Sequence, residues 1–240
     1  MKLKNIESNS KPVIILAGGF GTRLQGILKG LPKPLADING TPFISYLLLK
    51  LVEEGYNNFI LSLYYESGKL IEYIENVRNT IFQNCFIRYC IEPQPLGTGG
   101  AISFVLSNQK INGNFLVVNA DTLLNNGYFL VGQSDGNAIG LVSVPNVSRY
   151  GKVVFDETLS VTNFCEKSDF SEFGYINAGI YHLNSNLFDI KSINPYSLEM
   201  GLFPKLAESK GMKAVLLESL FIDIGVPDDY YKFCSENKIE

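Results

Sequence analysis

Short unbroken apolar runs alternate along this chain with stretches whose apolar residues recur every three or four positions. "VIILA" at Val13 to Ala17, "FILSLYY" at Phe59 to Tyr65, "FIRYCIE" at Phe86 to Glu92 and "FLVVNAD" at Phe115 to Asp121 predict buried strands. "PFISYLLLKLVEEG" from Pro42 to Gly55, "GKLIEYIENV" and "GAISFVLSN" carry helical spacing between them. Such alternation predicts βαβ units and a parallel sheet covered by helices on both faces. After about residue 137 the texture changes, and "AIGLVSV", "KVVFDE", "SVTNFCEK" and "INAGIYHL" follow one another as short strands. Helical spacing returns in "SLEMGLFPKLAES" and "PDDYYKFCSEN", with strands "AVLLES" and "FIDIG" between them. The expected architecture is a doubly wound, Rossmann-like α/β fold with a mixed sheet and a small antiparallel extension.

Composition narrows the classes. The 240 residues contain 46% apolar and 18% charged side chains, enough to bury one substantial core. Without a repeat, low-complexity tract or linker, one domain over 1–240 is expected, with the polar start "MKLKNIESNSKP" (1–12) as a flexible segment. A net charge of −4 argues against a polyanion-binding surface, so no nucleic-acid partner is expected. The four cysteines form no CxxC pair and His182 is the sole histidine, which leaves a zinc site poorly supplied and assigns these residues to structure. No apolar run approaches the roughly 18 residues of a membrane span, and no cleavage signal follows the first apolar run. A cytoplasmic protein without a membrane partner is the expectation.

The chemistry begins where β-strand character stops. Gly18, Gly19 and Gly21 follow the first apolar run, and glycines there let backbone N–H groups approach an anion, with Thr22 and the cation of Arg23 beside them. Two familiar phosphate loops are excluded: position 24 is Leu where GxGxxG needs Gly, and no Gly-Lys-Ser/Thr follows. Lys33 lies between Pro32 and Pro34, on a stiff segment that suits an anion ligand, although a solvated lysine in a proline turn would read the same way. Asp121 and Asp223 each end or interrupt an apolar run, where a carboxylate is costly unless capped, ion-paired or bound to metal. "PLGTGGA" sets Pro95, Gly97, Thr98, Gly99 and Gly100 at a helix start, either as a glycine-rich cap or as exposed N–H groups for a planar ligand edge.

The pairing of AGGFGTRL with PKPL resembles the signature of the sugar-1-phosphate nucleotidylyltransferases, GGxGTRL followed closely by PKP. "EPQPLGTGGA", "VNAD", "EK", "INAGIY" and "FIDIGVPDDY" follow in that family's order, so the resemblance covers the chain after residue 12. It implies a GT-A-like nucleotidyltransferase fold and the reaction in which a sugar 1-phosphate oxygen attacks the α-phosphorus of a nucleoside triphosphate, releasing pyrophosphate. It also implies roles. Leu16, Ala17, Gly18, Gly19, Gly21, Thr22, Arg23, Glu92, Pro95, Gly97, Thr98, Gly99, Asn119 and Ala120 are expected at the nucleotide. Gly151, Glu166, Lys167 and Asn177 are expected at the sugar phosphate. Arg23, Lys33, Asp121 and Asp223 are expected at the reacting phosphates, the two aspartates holding Mg2+.

"PLGTGGA" is closer to the segment of mannose-1-phosphate guanylyltransferase-like members than to the GLAQA type of thymidylyl members, which favours GTP. With "SRYG" and "YSLEMGLFPKL" it looks most like the heptose 1-phosphate guanylyltransferases, which implies D-glycero-α-D-manno-heptose 1-phosphate as acceptor and a surface glycan as destination. The nearest rival within the family is a uridylyltransferase for N-acetylmuramic acid 1-phosphate or a hexose 1-phosphate. A rival of another class is a silent regulatory subunit that binds NDP-sugars. A monomer or homodimer is expected, without the β-helix domain that longer members carry.

Overall fold

The computed structural model describes residues 11–165 and 172–237. Strand β1 (Val13–Leu16) leads through a loop to helix α1 (Gln25–Leu28), a small hairpin of β2 (Asp37–Ile38) and β3 (Thr41–Pro42), and helix α2 (Phe43–Glu53). Strand β4 (Asn58–Leu63), helix α3 (Ser67–Ile81), strand β5 (Phe86–Ile91), helix α4 (Gly97–Gln109) and strand β6 (Asn114–Asn119) continue the alternation. After them come β7 (Thr122–Leu124), α5 (Tyr128–Gly132), β8 (Ala138–Val144), β9 (Lys152–Phe155), β10 (Val161–Cys165) and β11 (Gly174–Asn184). The chain closes with α6 (Phe203–Glu208), β12 (Lys213–Leu217), β13 (Phe221–Asp223) and α7 (Pro227–Glu236).

Seven strands form one sheet in the order β12-β8-β11-β6-β1-β4-β5. β6, β1, β4 and β5 are parallel, whereas β11 runs antiparallel to both β6 and β8, and β12 is parallel to β8. The sheet is therefore mixed, as expected, but the antiparallel extension is smaller than the strand-rich texture suggests. β8, β11 and β12 are apolar enough to enter the large sheet, and β9 with β10 remains as the separate pair that extends from it.

Both faces are covered because successive strand residues point opposite ways. Val13 and Ile15 join the core under α2 and α3, Ile14 joins the core under α4 and α6, and all three are fully buried. α2 fits its face through Phe43, Leu47, Leu48 and Leu51, spaced to fall on one side of a helix. Burying each such side chain contributes roughly 1.5–3 kcal/mol.

The N-terminal segment differs from expectation where it is described. Lys11 Nζ donates to Gly132 O (2.5 Å) and Pro12 O accepts from Leu116 N (3.0 Å), so these two residues belong to the fold. The rest of that segment, 1–10, lies outside the described residues. His182 is buried, with Nδ1 at 2.8 Å from Gly136 O and Nε2 at 3.2 Å from Lys11 Nζ, and burial is the main cause of its lowered pKa. Cys85 and Cys90 are buried thiols, whereas Cys165 is exposed and Cys234 half-buried.

From β1 the chain moves outward to β4 and β5 and then returns to the other side of β1 as β6. Strand order thus reverses between β1 and β6, and in an open α/β sheet ligands bind beyond the strand ends at such a point.

Candidate active site

The loop after β1 and the turn after β6 face each other across that crevice. Ala17 N donates to Ser62 O (2.9 Å) and Ala120 N to Leu16 O (3.1 Å), which carries the sheet's pairing one residue past each strand. Gly21 adopts φ +61°, and a Cβ there would lie 3.1 Å from Lys33 Cβ, so glycine lets the loop close over the lysine. The chain then enters a single turn, Thr22–Leu24, closed by Leu24 N to Gly21 O (3.0 Å), with Arg23 exposed.

Three connected hollows lie along the crevice. The largest, about 350 Å³, is lined by Leu16, Gly18, Gly19, Glu92, Pro95, Gly97, Thr98, Asn119 and Asp121 among the expected residues. A smaller one of about 120 Å³ adds Ala17, Gly21, Lys33 and Ala120. The third, about 230 Å³, is walled by Gly21, Thr22, Arg23, Lys33, Asp121 and Asp223. Asp121 borders all three and marks their junction. Phe20, Leu96, Ala101, Pro34 and Gly225 also line the crevice and were not singled out in the sequence. All five sit inside the quoted motifs, Phe20 in AGGFGTRL, Pro34 in PKPL, Leu96 and Ala101 in EPQPLGTGGA and Gly225 in FIDIGVPDDY, but none was assigned a role there.

Asp121 lies two residues past the end of β6, in the turn to β7, and not on the strand itself. β13 pairs antiparallel with β7 so that Asp223 opposes Thr122, and Ile224 N donates to Asp121 O (3.0 Å). That register sets the two aspartates side by side. Lys33 Nζ reaches Asp121 Oδ2 at 2.6 Å, with the lysine side chain only 13% exposed, while Gly225 N donates to Asp223 Oδ1 at 2.6 Å. Burial, and then the charge of Asp121, push the Asp223 carboxyl above the usual range, and Lys33 offsets part of that rise.

Glu92 closes the far end of the largest hollow and is buried. Its Oε1 accepts from Ser62 Oγ (3.0 Å) and its Oε2 from Leu96 N (3.1 Å), both neutral donors, and burial raises its pKa. Gly18 lies between this carboxylate and Tyr64: a Cβ there would sit 3.1 Å from Glu92 Oε1 and 3.3 Å from Tyr64 Cβ.

Of the two readings the sequence leaves open for the start of α4, Gly99 and Gly100 follow the packed glycine-rich cap and not the open row of N–H groups. Gly99 N and Gly100 N both donate to Tyr196 O (3.0 and 3.3 Å), and a Cβ on Gly99 would fall 2.1 Å from the Tyr196 ring. Gly99 is therefore a packing residue, and of the four residues Gly97, Thr98, Gly99 and Gly100 only the first two line the crevice. Thr98 Oγ1 donates to Glu199 Oε2 (2.9 Å) and accepts from Leu198 N (2.8 Å), which leaves its hydroxyl occupied within the protein.

The expected sugar-phosphate residues are less gathered. Gly151, at φ +82°, ends the turn before β9, next to Tyr150, whose ring packs edge-on against Phe221 at 5.9 Å. Asn177 Oδ1 accepts from Gly179 N (2.8 Å) and its Nδ2 donates to Tyr181 Oη (2.8 Å), so its amide braces the bulge in β11. Glu166 and Lys167 lie outside the described residues.

A glycine loop with two cations, opposite two carboxylates and a mostly apolar hollow, at the switch point of a mixed α/β sheet, defines a nucleotide-handling enzyme site of the transferase kind. The chain belongs to the Nucleotidyl transferase family, whose model matches residues 12–238. It is 36% identical to a D-glycero-alpha-D-manno-heptose 1-phosphate guanylyltransferase of Campylobacter jejuni, over 93% of this chain and 99% of that one. An enzyme of the same description from Aneurinibacillus thermoaerophilus is 35% identical over 91% of this chain and 95% of its own. Among solved structures, HddC from Yersinia pseudotuberculosis complexed with GMP-PN superimposes with a TM-score of 0.82 at 35% identity, covering 95% of this chain and 100% of that one. Among the described residues no helix is long and apolar enough to cross a membrane.

Proposed function

We propose that this chain, as one catalytic domain over 1–240, transfers the guanylyl group of GTP to D-glycero-α-D-manno-heptose 1-phosphate, giving GDP-D-glycero-α-D-manno-heptose and pyrophosphate. The observation that carries this reading is the near full-length likeness to two heptose 1-phosphate guanylyltransferases. The base cavity supports it chemically. Guanine presents two adjacent donors, N1–H and the N2 amino group, and the Glu92 carboxylate at the end of the hollow is a matching pair of acceptors.

In the reaction a phosphate oxygen of the sugar 1-phosphate forms a bond to the α-phosphorus, and the bond from that phosphorus to the bridging oxygen breaks. Pyrophosphate leaves with the electron pair. The nucleophile is already ionised near neutral pH, so positioning and charge neutralisation are what the protein must supply. Gly21, Thr22 and Arg23 line the hollow that this reading assigns to the departing phosphates, and Lys33 has donors beyond the one it gives Asp121.

The same crevice fits a divalent cation. Arg23 and Lys33 are balanced by Asp121 and Asp223, so these four side chains alone give no net attraction for a triphosphate. Hydrogen bonds use one oxygen of each carboxylate, Oδ2 of Asp121 and Oδ1 of Asp223; burial first and the charge of Asp121 second raise Asp223, and a cation held between the two carboxylates would offset both. Two carboxylates plus substrate oxygens suit Mg2+, which when bound supplies charge stabilisation at the phosphates. Asp121 and Asp223 would hold it.

The test is pyrophosphate release with Mg2+ from each of GTP, UTP, dTTP, CTP and ATP, against a panel of sugar 1-phosphates containing the manno-heptose. Release with GTP and the heptose phosphate is expected. A preference for UTP and a hexose or N-acetylmuramic acid 1-phosphate would overturn the substrate assignment, and no release from any pair would overturn the enzyme reading.

A further inference from the structure

Phe20 stands in the middle of the glycine loop and is 44% exposed, an unusual place to leave an aromatic ring uncovered. Its surroundings point to a ligand. The ring lines the largest hollow together with Glu92, Pro95, Leu96 and Gly97. Behind it, the Tyr64 ring lies edge-on at 5.7 Å and 77°, and the Tyr65 ring at 5.4 Å and 45°, so two tyrosines fix its position. Phe20, Gly18 and Glu92 line the same hollow, and a Cβ on Gly18 would meet both Tyr64 and the Glu92 carboxylate, so Tyr64 packs behind that part of the lining. The wall belongs to the Glu92 end of the crevice: Arg23 and Asp223 line the other end, and the two ends share Asp121.

From this placement we infer that Phe20 is the base-stacking residue of the site, covering one face of guanine while Glu92 takes its edge. The inference rests on the reading that this cavity holds GTP. An exposed ring held against two tyrosine rings and lining a mostly apolar hollow can offer its flat surface to a purine, and base–aromatic stacking depends little on which base is offered. The division of labour is then that Phe20 supplies affinity and Glu92 supplies selectivity. The length of the loop explains the arrangement, since Gly18 and Gly19 carry no side chains that would stand between the ring and the base.

The chain contains no tryptophan, so Phe20→Trp places a single indole reporter on that wall. GTP is expected to quench and shift its emission, whereas inorganic tripolyphosphate, which fills only the phosphate end, is expected to leave it unchanged. In parallel, Phe20→Ala is expected to raise KM for GTP about tenfold with a far smaller change in kcat, and Phe20→Tyr to restore most of the affinity. An equal response to GTP and tripolyphosphate, or a KM for Phe20→Ala within about twofold of the wild type that turns over GTP, would overturn the assignment of Phe20 alone. A wild-type protein that neither binds nor turns over GTP would overturn it together with the proposed function.

Discussion

A carboxylate buried against neutral donors costs free energy that the fold must offset, and Glu92 is such a group in the part of the crevice proposed to hold the base. Glu92→Gln separates the two roles. Glutamine still satisfies the neighbours, its carbonyl accepting from Leu96 N–H and its amide donating to Ser62 Oγ, but it opposes guanine's two donors with a donor of its own. We expect kcat/KM for GTP to fall about 10- to 100-fold and the preference for GTP over ITP, which lacks the N2 amino group, to disappear. Because burial raises the Glu92 pKa, its ionised form is disfavoured in the folded state. The glutamine variant should therefore melt at a higher temperature than the wild type at neutral pH. That advantage should shrink as pH falls through the raised pKa of Glu92 and vanish below the pKa of an unfolded glutamate, where both side chains are neutral. Melting curves across acidic pH check this, and a wild type more stable than the variant at neutral pH would contradict it.

At the scale of elements, the start of α4 is held by a strap that the sequence does not announce. The backbone of Tyr196 bonds Leu96, Gly99 and Gly100, and Thr98 bonds Leu198 and Glu199, so this wall of the crevice is set from behind by a segment about a hundred residues away. Gly99→Ala places a methyl group in the Tyr196 ring and should cost about 1–3 kcal/mol. Adding Tyr196→Ala removes the obstacle, so the double variant should lose less stability than the two single changes together, measured by denaturant unfolding. Strict additivity would contradict the packing. The strands and helices of the first half were legible because Val13 to Ala17 is an unbroken apolar run and the Pro42 helix carries clear periodicity. The glycines of "PLGTGGA" were legible as a special turn, but their cause was not: local spacing cannot tell an N–H facing a ligand from one facing Tyr196 O. Likewise "INAGIYHL" reads as a short strand, whereas its place between β6 and β8 depends on long-range pairing.

For the whole molecule, the sheet's switch point brings together residues from both ends of the chain, and the pairing of β13 with β7 completes the charged end of the crevice. Asp121 and Asp223 were visible in the sequence as carboxylates in apolar settings. Their meeting at one site was implied by the family resemblance, whereas the β13–β7 register that sets it and the Lys33 ion pair came only from the fold. Ligand binding at this junction should stabilise the entire domain, since a ligand at a hundred times its Kd adds about 2.7 kcal/mol, or roughly 5–10 °C in Tm for a chain of this size. We expect GTP with Mg2+ to raise Tm by that order in the wild type. Asp121→Asn and Asp223→Asn should lose most of the Mg2+-dependent part of the rise and reduce turnover at least about a hundredfold. A full Mg2+ effect in either variant would contradict the two-aspartate site.

Guanylyl transfer at this crevice is tested directly by phosphorus NMR of GTP and D-glycero-α-D-manno-heptose 1-phosphate with the enzyme and Mg2+. The predicted result is loss of the sugar monophosphate signal, matched one for one by inorganic pyrophosphate and a sugar diphosphate diester. Cleavage of GTP with the heptose phosphate unchanged, or no reaction with GTP while UTP is consumed, would contradict it.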